Sequence, residues 1–121
     1  MLAAVAQMEP KLGEINRNLD AIVARIEEAS AEGAELIVLP ECAVTGYVFG
    51  TPEAARGAAQ EIPGPALEVL EQACARSEIH AVCGVLVHEQ DELRNRSLLV
   101  GPDGLLATYD KTHLPFLGVD R

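Results

Sequence analysis

A chain of 121 residues has the length of one domain, and with 49% hydrophobic residues it can bury a core, which excludes a disordered polymer. Nine basic against 19 acidic residues give a formal charge of −10, which repels phosphate backbones and anionic membrane surfaces, so neither nucleic acid nor membrane is an expected partner. Three cysteines, Cys42, Cys74 and Cys83, form an odd set without CxxC or Cys/His spacing, so they read as small buried hydrophobes and indicate neither a disulfide framework nor a metal site.

In chain order, Leu2 to Met8 is a short apolar run that stops at Glu9-Pro10 and reads as a buried first strand. No Lys or Arg precedes it, and it is too short for a signal-peptide core or a bilayer span, so a cytoplasmic protein is expected. Ile15, Leu19, Ile22, Ile26 and Ala29 recur at steps of four and three, with charged residues mostly elsewhere, predicting an amphipathic helix that Gly33 ends at C′. Leu36 to Leu39 follows as a second buried strand, giving a βαβ opening with a parallel pair. The stretch TPEAARGAAQEIPGPA reads as loop with room for one helical turn. Gly64-Pro65 then opens a second helix with Leu67, Leu70, Cys74 and Ser77 on its inner face.

Ile79 to Val87 is a third strand, and Ser97 to Val100 and Leu105 to Tyr109 are two more, joined by the tight-turn sequence GPDG. No repeat or linker divides residues 1–121. The last segment, YDKTHLPFLGVDR, runs out at Arg121 without a closing element, and five strands with two helices leave one sheet face uncovered, so the chain reads as an incomplete piece.

Glu41 stands just past the carboxyl end of a parallel strand, where open α/β sheets form binding crevices. Pro40 before it narrows the backbone, and Gly46 after it permits a sharp turn. A carboxylate on so stiff a frame is a candidate general base, although a solvated loop carboxylate fits the position equally. Lys111 is the second candidate. Strand alternation sets it on one face with Leu105, Ala107 and Tyr109, a pattern that a snorkelling surface lysine ordinarily explains. His113 falls on the same face and reads as a hydrogen-bonded structural imidazole. Cys42 neighbours Glu41, but in an extended segment its sulfur would point to the opposite side.

Taken together, PECAVTGY and YDKTHLP resemble the two amino-terminal motifs of the nitrilase superfamily, the carbon–nitrogen hydrolases. The opening AAVAQM strand, the GAELIVLPE passage, the EIPGPALEVL helix start and RNRSLLVGPDG agree. The resemblance runs over the whole chain but covers only about the first half of such a domain. It implies an α/β fold, the family's α-β-β-α sandwich in incomplete form, with part of each of two sheets present. It also implies a Glu-Lys-Cys triad acting through a thioester, in which Glu41 matches the general base and Lys111 the lysine that stabilises the tetrahedral intermediate.

The nucleophilic cysteine of the family lies further along than Arg121, and none of the three cysteines here matches it by motif. The expected activity is hydrolysis of non-peptide carbon–nitrogen bonds in a small amide, nitrile or carbamoyl substrate, amides being favoured. It requires no metal or organic cofactor, and the full-length protein is expected to form a homodimer or higher homo-oligomer. The 121 residues alone are expected to be inactive and to expose an apolar face prone to association. The competing reading is a non-catalytic α/β binding module or pseudoenzyme, in which Glu41 and Lys111 form a structural ion pair. A thiol redox protein using Cys42 is disfavoured for want of a partner thiol.

Overall fold

The computed structural model describes residues 1–46, 49–90 and 92–111. Five strands and three helices follow one another as β1 (Ala3–Val5), α1 (Ile15–Ala31), β2 (Leu36–Val38), α2 (Pro52–Ala58), α3 (Pro65–Ser77), β3 (His80–Glu89), β4 (Glu92–Gly101) and β5 (Gly104–Asp110). The strands form a single sheet in the order β1-β2-β3-β4-β5. The first three are parallel, and β4 and β5 are antiparallel additions. Each strand therefore pairs with its predecessor in sequence, and parts of two sheets, as the resemblance had implied, do not arise among the described residues. Helices separate the parallel strands because a parallel pair needs a long crossover, whereas β3-β4 and β4-β5 close as hairpins.

The apolar stripe of α1 is buried at Leu19, Ile22, Ile26 and Ala29, and α3 buries Ala66, Leu67, Leu70, Ala73 and Cys74. Both pack on one face of the sheet, against Ile37, Ala81, Cys83, Val85, Val87, Leu98 and Val100. Each fully buried aliphatic side chain contributes about 1.5–3 kcal/mol. Gly33, at φ 88, ends α1 as expected, with the Ala34 amide donating to the Ala29 carbonyl. Pro65 opens α3 at its first turn.

The second sheet face is bare in part: Val5 is 76% exposed and Tyr109 62% exposed, with Val38 also open to solvent. This bears out the expectation of an uncovered apolar face. It corrects the reading of β1 as buried, because β1 is a three-residue edge strand whose helix side alone is covered.

A register shift between Leu99 and Val100 corrects the expected face of Leu105. Val100 pairs with Leu105 but Leu99 with Ala107, so the bulge turns Leu105 to the helix side, where its amide donates to Glu71 Oε2 at 3.1 Å. Ala107 and Tyr109 stay on the opposite face, and the alternation carries on to Lys111.

Candidate active site

The Leu39 amide donates to the Val82 carbonyl at 2.8 Å, extending the β2–β3 ladder by one residue before Pro40 leaves it. Glu41 to Thr45 then form a tight turn, in which the Gly46 amide donates to the Cys42 carbonyl at 2.8 Å. Cys42 adopts φ 51 and Gly46 φ 84, so the chain reverses within a few residues. Glycine suits the second of these angles; the first is strained for a residue with a side chain.

Three anchors hold the turn. Asn18, buried on α1, donates through Nδ2 to the Val44 carbonyl at 2.9 Å. The Gly13 amide donates to the Thr45 carbonyl at 3.0 Å. From β3, the Leu86 amide donates to Thr45 Oγ1 at 3.3 Å.

The turn rests on Gly84. A Cβ at that position would stand 2.3 Å from the Cys42 nitrogen and 2.8 Å from the Glu41 Cα, both backbone atoms, so only a bare α-carbon lets Glu41 lie this close to the sheet. Val82, Gly84 and Leu86 alternate onto the face away from the helices, and that face receives the Glu41 side chain.

The two candidate residues meet there: Lys111 Nζ lies 3.0 Å from Glu41 Oε1. Lys111 follows directly on β5, and its amide donates to the Asn95 carbonyl at 2.9 Å, which fixes it across from Asn95 on β4. Asn95 is a third member that the sequence reading missed. Its Nδ2 donates to Glu41 Oε1 at 2.6 Å. Its Oδ1 accepts from Cys42 Sγ at 3.5 Å. A carboxamide in mid-strand between two arginines is uncommon in β-structure, and that composition was the available signal.

The sulfur of Cys42 therefore lies on the Glu41 side, contrary to expectation. The expectation assumed an extended segment, and the turn removes the alternation on which it depended.

Behind this face, Arg96 and Asp110 lock the same two strands. Arg96 Nε and Nη2 donate to the two Asp110 oxygens at 2.6 and 3.1 Å, a two-pronged contact directly across the β4–β5 ladder. The contact holds Asp110 below the ordinary carboxylate range, chiefly through the Arg96 hydrogen bond, and raises the Arg96 guanidinium above its own. Because Arg96 and Asp110 follow Asn95 and precede Lys111, pinning them sets the site pair on the other face.

Cys74 and Cys83 lie in the core on the helix side, where burial pushes their thiols up to about 11 and about 12. All three cysteines are buried. His113 lies outside the described residues. Among the described residues, no cluster of three or more His, Cys, Asp or Glu side chains could hold a metal ion, and no helix is long and apolar enough to cross a membrane. Along the carboxyl ends of β1 and β2 runs an open groove of about 760 Å³, walled by Val5, Met8, Val38, Leu39 and Pro40; Glu41, Asn95 and Lys111 do not line it. Its size suits a small molecule.

Residues 2–120 match the family model described as carbon-nitrogen hydrolase. The chain is 38% identical over 112 residues to a nitrilase of Pyrococcus abyssi, covering 92% of this chain and 43% of that protein. It is 35% identical over 99 residues to an omega-amidase NIT2 of Danio rerio, covering 80% of this chain and 35% of that one. This chain thus spans less than half the length of these relatives. Among solved structures, a CN-hydrolase superfamily protein of Xanthomonas campestris superposes with a TM-score of 0.77 at 28% identity, over 92% of this chain and 41% of its own. A crystal structure of an N-terminal amidase, at 22% identity, shares the fold with a TM-score of 0.80 over 93% of this chain and 28% of its own. The five-stranded sheet with α1 and α3 on one face is accordingly an incomplete α/β sandwich, and the chain belongs to the carbon-nitrogen hydrolase family.

Proposed function

We propose that this chain carries the acid–base and charge-stabilising part of an enzyme that hydrolyses non-peptide carbon–nitrogen bonds through a Glu-Lys-Cys triad. Glu41 acts as the general base, Lys111 stabilises the tetrahedral intermediate, and the nucleophilic thiol comes from outside these 121 residues. The supporting observation is the 3.0 Å contact of Lys111 Nζ with Glu41 Oε1, made by residues 70 positions apart. A purely structural pair is the weaker reading. With 34% and 49% of their side chains exposed, the two charges stabilise the fold by at most about 1 kcal/mol after screening by water.

The chemistry requires both groups. A thiol is mostly protonated at neutral pH, so a carboxylate must take its proton as sulfur attacks the carbonyl carbon. Negative charge collects on the substrate oxygen, and a fixed ammonium stabilises it. As the C–N bond breaks, Glu41 returns the proton to the departing amine. It then takes one from the water that cleaves the thioester, releasing the acid and restoring the thiol.

None of the three cysteines here suits the attack. Cys74 and Cys83 are buried on the wrong side of the sheet with raised thiol values, and Cys42 is fully buried against Asn95. The substrate class is a small amide or nitrile, amides being favoured by the omega-amidase relatives. A cytoplasmic homo-oligomer is the setting this reading carries.

Glu41→Gln tests it. In the protein with its nucleophilic cysteine present, ammonia release from simple amides falls at least about 10³-fold while the circular dichroism spectrum is unchanged. Turnover near wild type ends the proposal. The 121 residues alone release no ammonia, and robust turnover by them would show the nucleophile to be one of Cys42, Cys74 and Cys83.

A further inference from the structure

We infer that Asn95 is the positioning residue for Glu41, that the Cys42 thiol sets which way its carboxamide faces, and that Glu41 Oε2 is consequently the oxygen that moves the proton. The first two parts rest on geometry alone; the third rests on the reading of Glu41 as the base.

Lys111 cannot by itself orient Glu41. Its ammonium is a point charge on a flexible four-carbon stem, and the glutamate side chain has three rotatable bonds and is half exposed. Asn95 differs in each respect. It is 6% exposed, stands in the middle of β4 with a strand on either side, and has two side-chain torsions. Its Nδ2 donates to Oε1 at 2.6 Å, a charge-assisted bond.

The carboxamide has two orientations, and Cys42 distinguishes them. The Cys42 S–H donates to Oδ1 at 3.5 Å, which turns the NH2 group toward Glu41. The reverse orientation would set Oδ1 against Oε1, two acceptors at contact distance, and would leave the sulfur to act only as a weak acceptor. The left-handed backbone of Cys42, at φ 51, is what brings its sulfur to this position.

Both donors, Asn95 Nδ2 and Lys111 Nζ, meet the same oxygen, Oε1. Among the described residues no donor meets Oε2. Among the described residues the donors thus tether one carboxylate oxygen and leave the other for proton transfer. A base of this form accepts the thiol proton on Oε2 and surrenders it from Oε2, without breaking the bonds that hold it.

The test has two arms. In the 121-residue chain, the two Asn95 Nδ2 protons are separated by more than the difference between the cis and trans protons of an ordinary primary carboxamide, the downfield one exchanging slowly, and Glu41→Ala returns the separation to that ordinary value. Cys42→Ala narrows the separation through amide reversal, and Cys42→Ser restores it. In the protein with its nucleophilic cysteine present, Asn95→Leu lowers kcat roughly 10–100-fold with KM within about threefold, the size of effect expected when a reacting group is misplaced by an ångström. Asn95→Ala, which removes the donor without adding bulk or charge, does the same and guards against a folding defect in the leucine variant.

An ordinary carboxamide separation of the Nδ2 protons in the wild type, unchanged by Glu41→Ala, overturns the positioning role, as does wild-type kcat in both Asn95 variants where Glu41→Gln is inactive. A downfield proton together with full activity of Glu41→Gln leaves the positioning role standing and overturns Oε2 as the proton carrier along with the hydrolase reading itself.

Discussion

Gly84→Ala is the sharpest probe of the site's architecture, because it adds one methyl group to the floor beneath Glu41 and touches neither charged residue. The new Cβ would stand 2.3 Å from the Cys42 nitrogen, 2.8 Å from the Glu41 Cα and 2.9 Å from the Glu41 carbonyl carbon. Ordinary van der Waals separation begins near 3.4 Å, so the turn must lift by roughly 1 Å. All three obstructing atoms are backbone, and no rotamer change relieves the clash. Overpacking of this kind costs about 1–3 kcal/mol, which lowers the melting temperature by roughly 4–12 °C in a domain of this size. The movement also parts Glu41 from Asn95, whose downfield amide proton collapses toward its partner.

Gly57→Ala is the control. Gly57 lies in α2 with nothing within 4 Å of an added Cβ, and exchanging glycine for alanine inside a helix is neutral or stabilises by about 0.5–1 kcal/mol. Thermal unfolding and the Asn95 side-chain signals of both variants decide the matter. A Gly84→Ala protein that melts with the wild type and keeps its amide signal would refute the close approach of the Glu41 turn to β3.

Two further predictions concern pH. The Asp110 carboxyl is held low by Arg96, so its contribution is complete above the ordinary carboxylate value near pH 4 and is lost as pH falls through the lower folded value. Asp110→Asn should therefore cost about 1.5–3 kcal/mol at neutral pH, toward the lower end because Asp110 keeps some contact with water, and the gap from wild type should close below about pH 4. Urea titrations at pH 7 and pH 3 measure it, and a gap independent of pH would be contrary. Cys83 behaves in the opposite sense. Its buried thiol is raised to about 12, so its stabilising share is whole below the ordinary thiol value near pH 8.5 and drains away between there and pH 12. The stability difference between wild type and Cys83→Ala should thus shrink from pH 7 to pH 10, and parallel profiles would count against the burial.

Helices α1 and α3 and the positions of the parallel strands were legible because each rests on a local rule, whereas α2 (Pro52–Ala58), capped by Thr51, lies in a stretch read as loop. The four-and-three spacing of Ile15 to Ala29, the glycine after α1 and the proline opening α3 act within a few residues, and the structure follows them. The errors share a different origin. β4 runs from Glu92 to Gly101, well before the expected start at Ser97, because Arg94, Asn95 and Arg96 interrupt the apolar pattern while their partners on neighbouring strands stabilise the extended chain. The β3–β4 reversal passes through Gln90 at φ 52, a residue type that gives no turn signal. Leu105 changes face through a bulge whose amide is satisfied by Glu71, 34 residues away.

The same distinction governs the site. Glu41 and Lys111 were legible as motif residues, but what makes them a pair is non-local: a missing side chain at Gly84, an amide at Asn95 and a salt bridge on the reverse of the sheet. Alternation along a strand means that residues 95 and 96 of β4 serve opposite faces, as do residues 110 and 111 at the end of β5. The Arg96–Asp110 contact therefore sets register on the helix side and, through the two-residue period of the strands, delivers Asn95 and Lys111 to the other. A slip of one residue in β5 would turn Lys111 toward the helices and carry Asp110 round to Glu41, replacing an attraction by a repulsion. Pinning the register from behind keeps the salt-bridge partners off the reactive face, where their charges would compete with Lys111 for the same carboxylate.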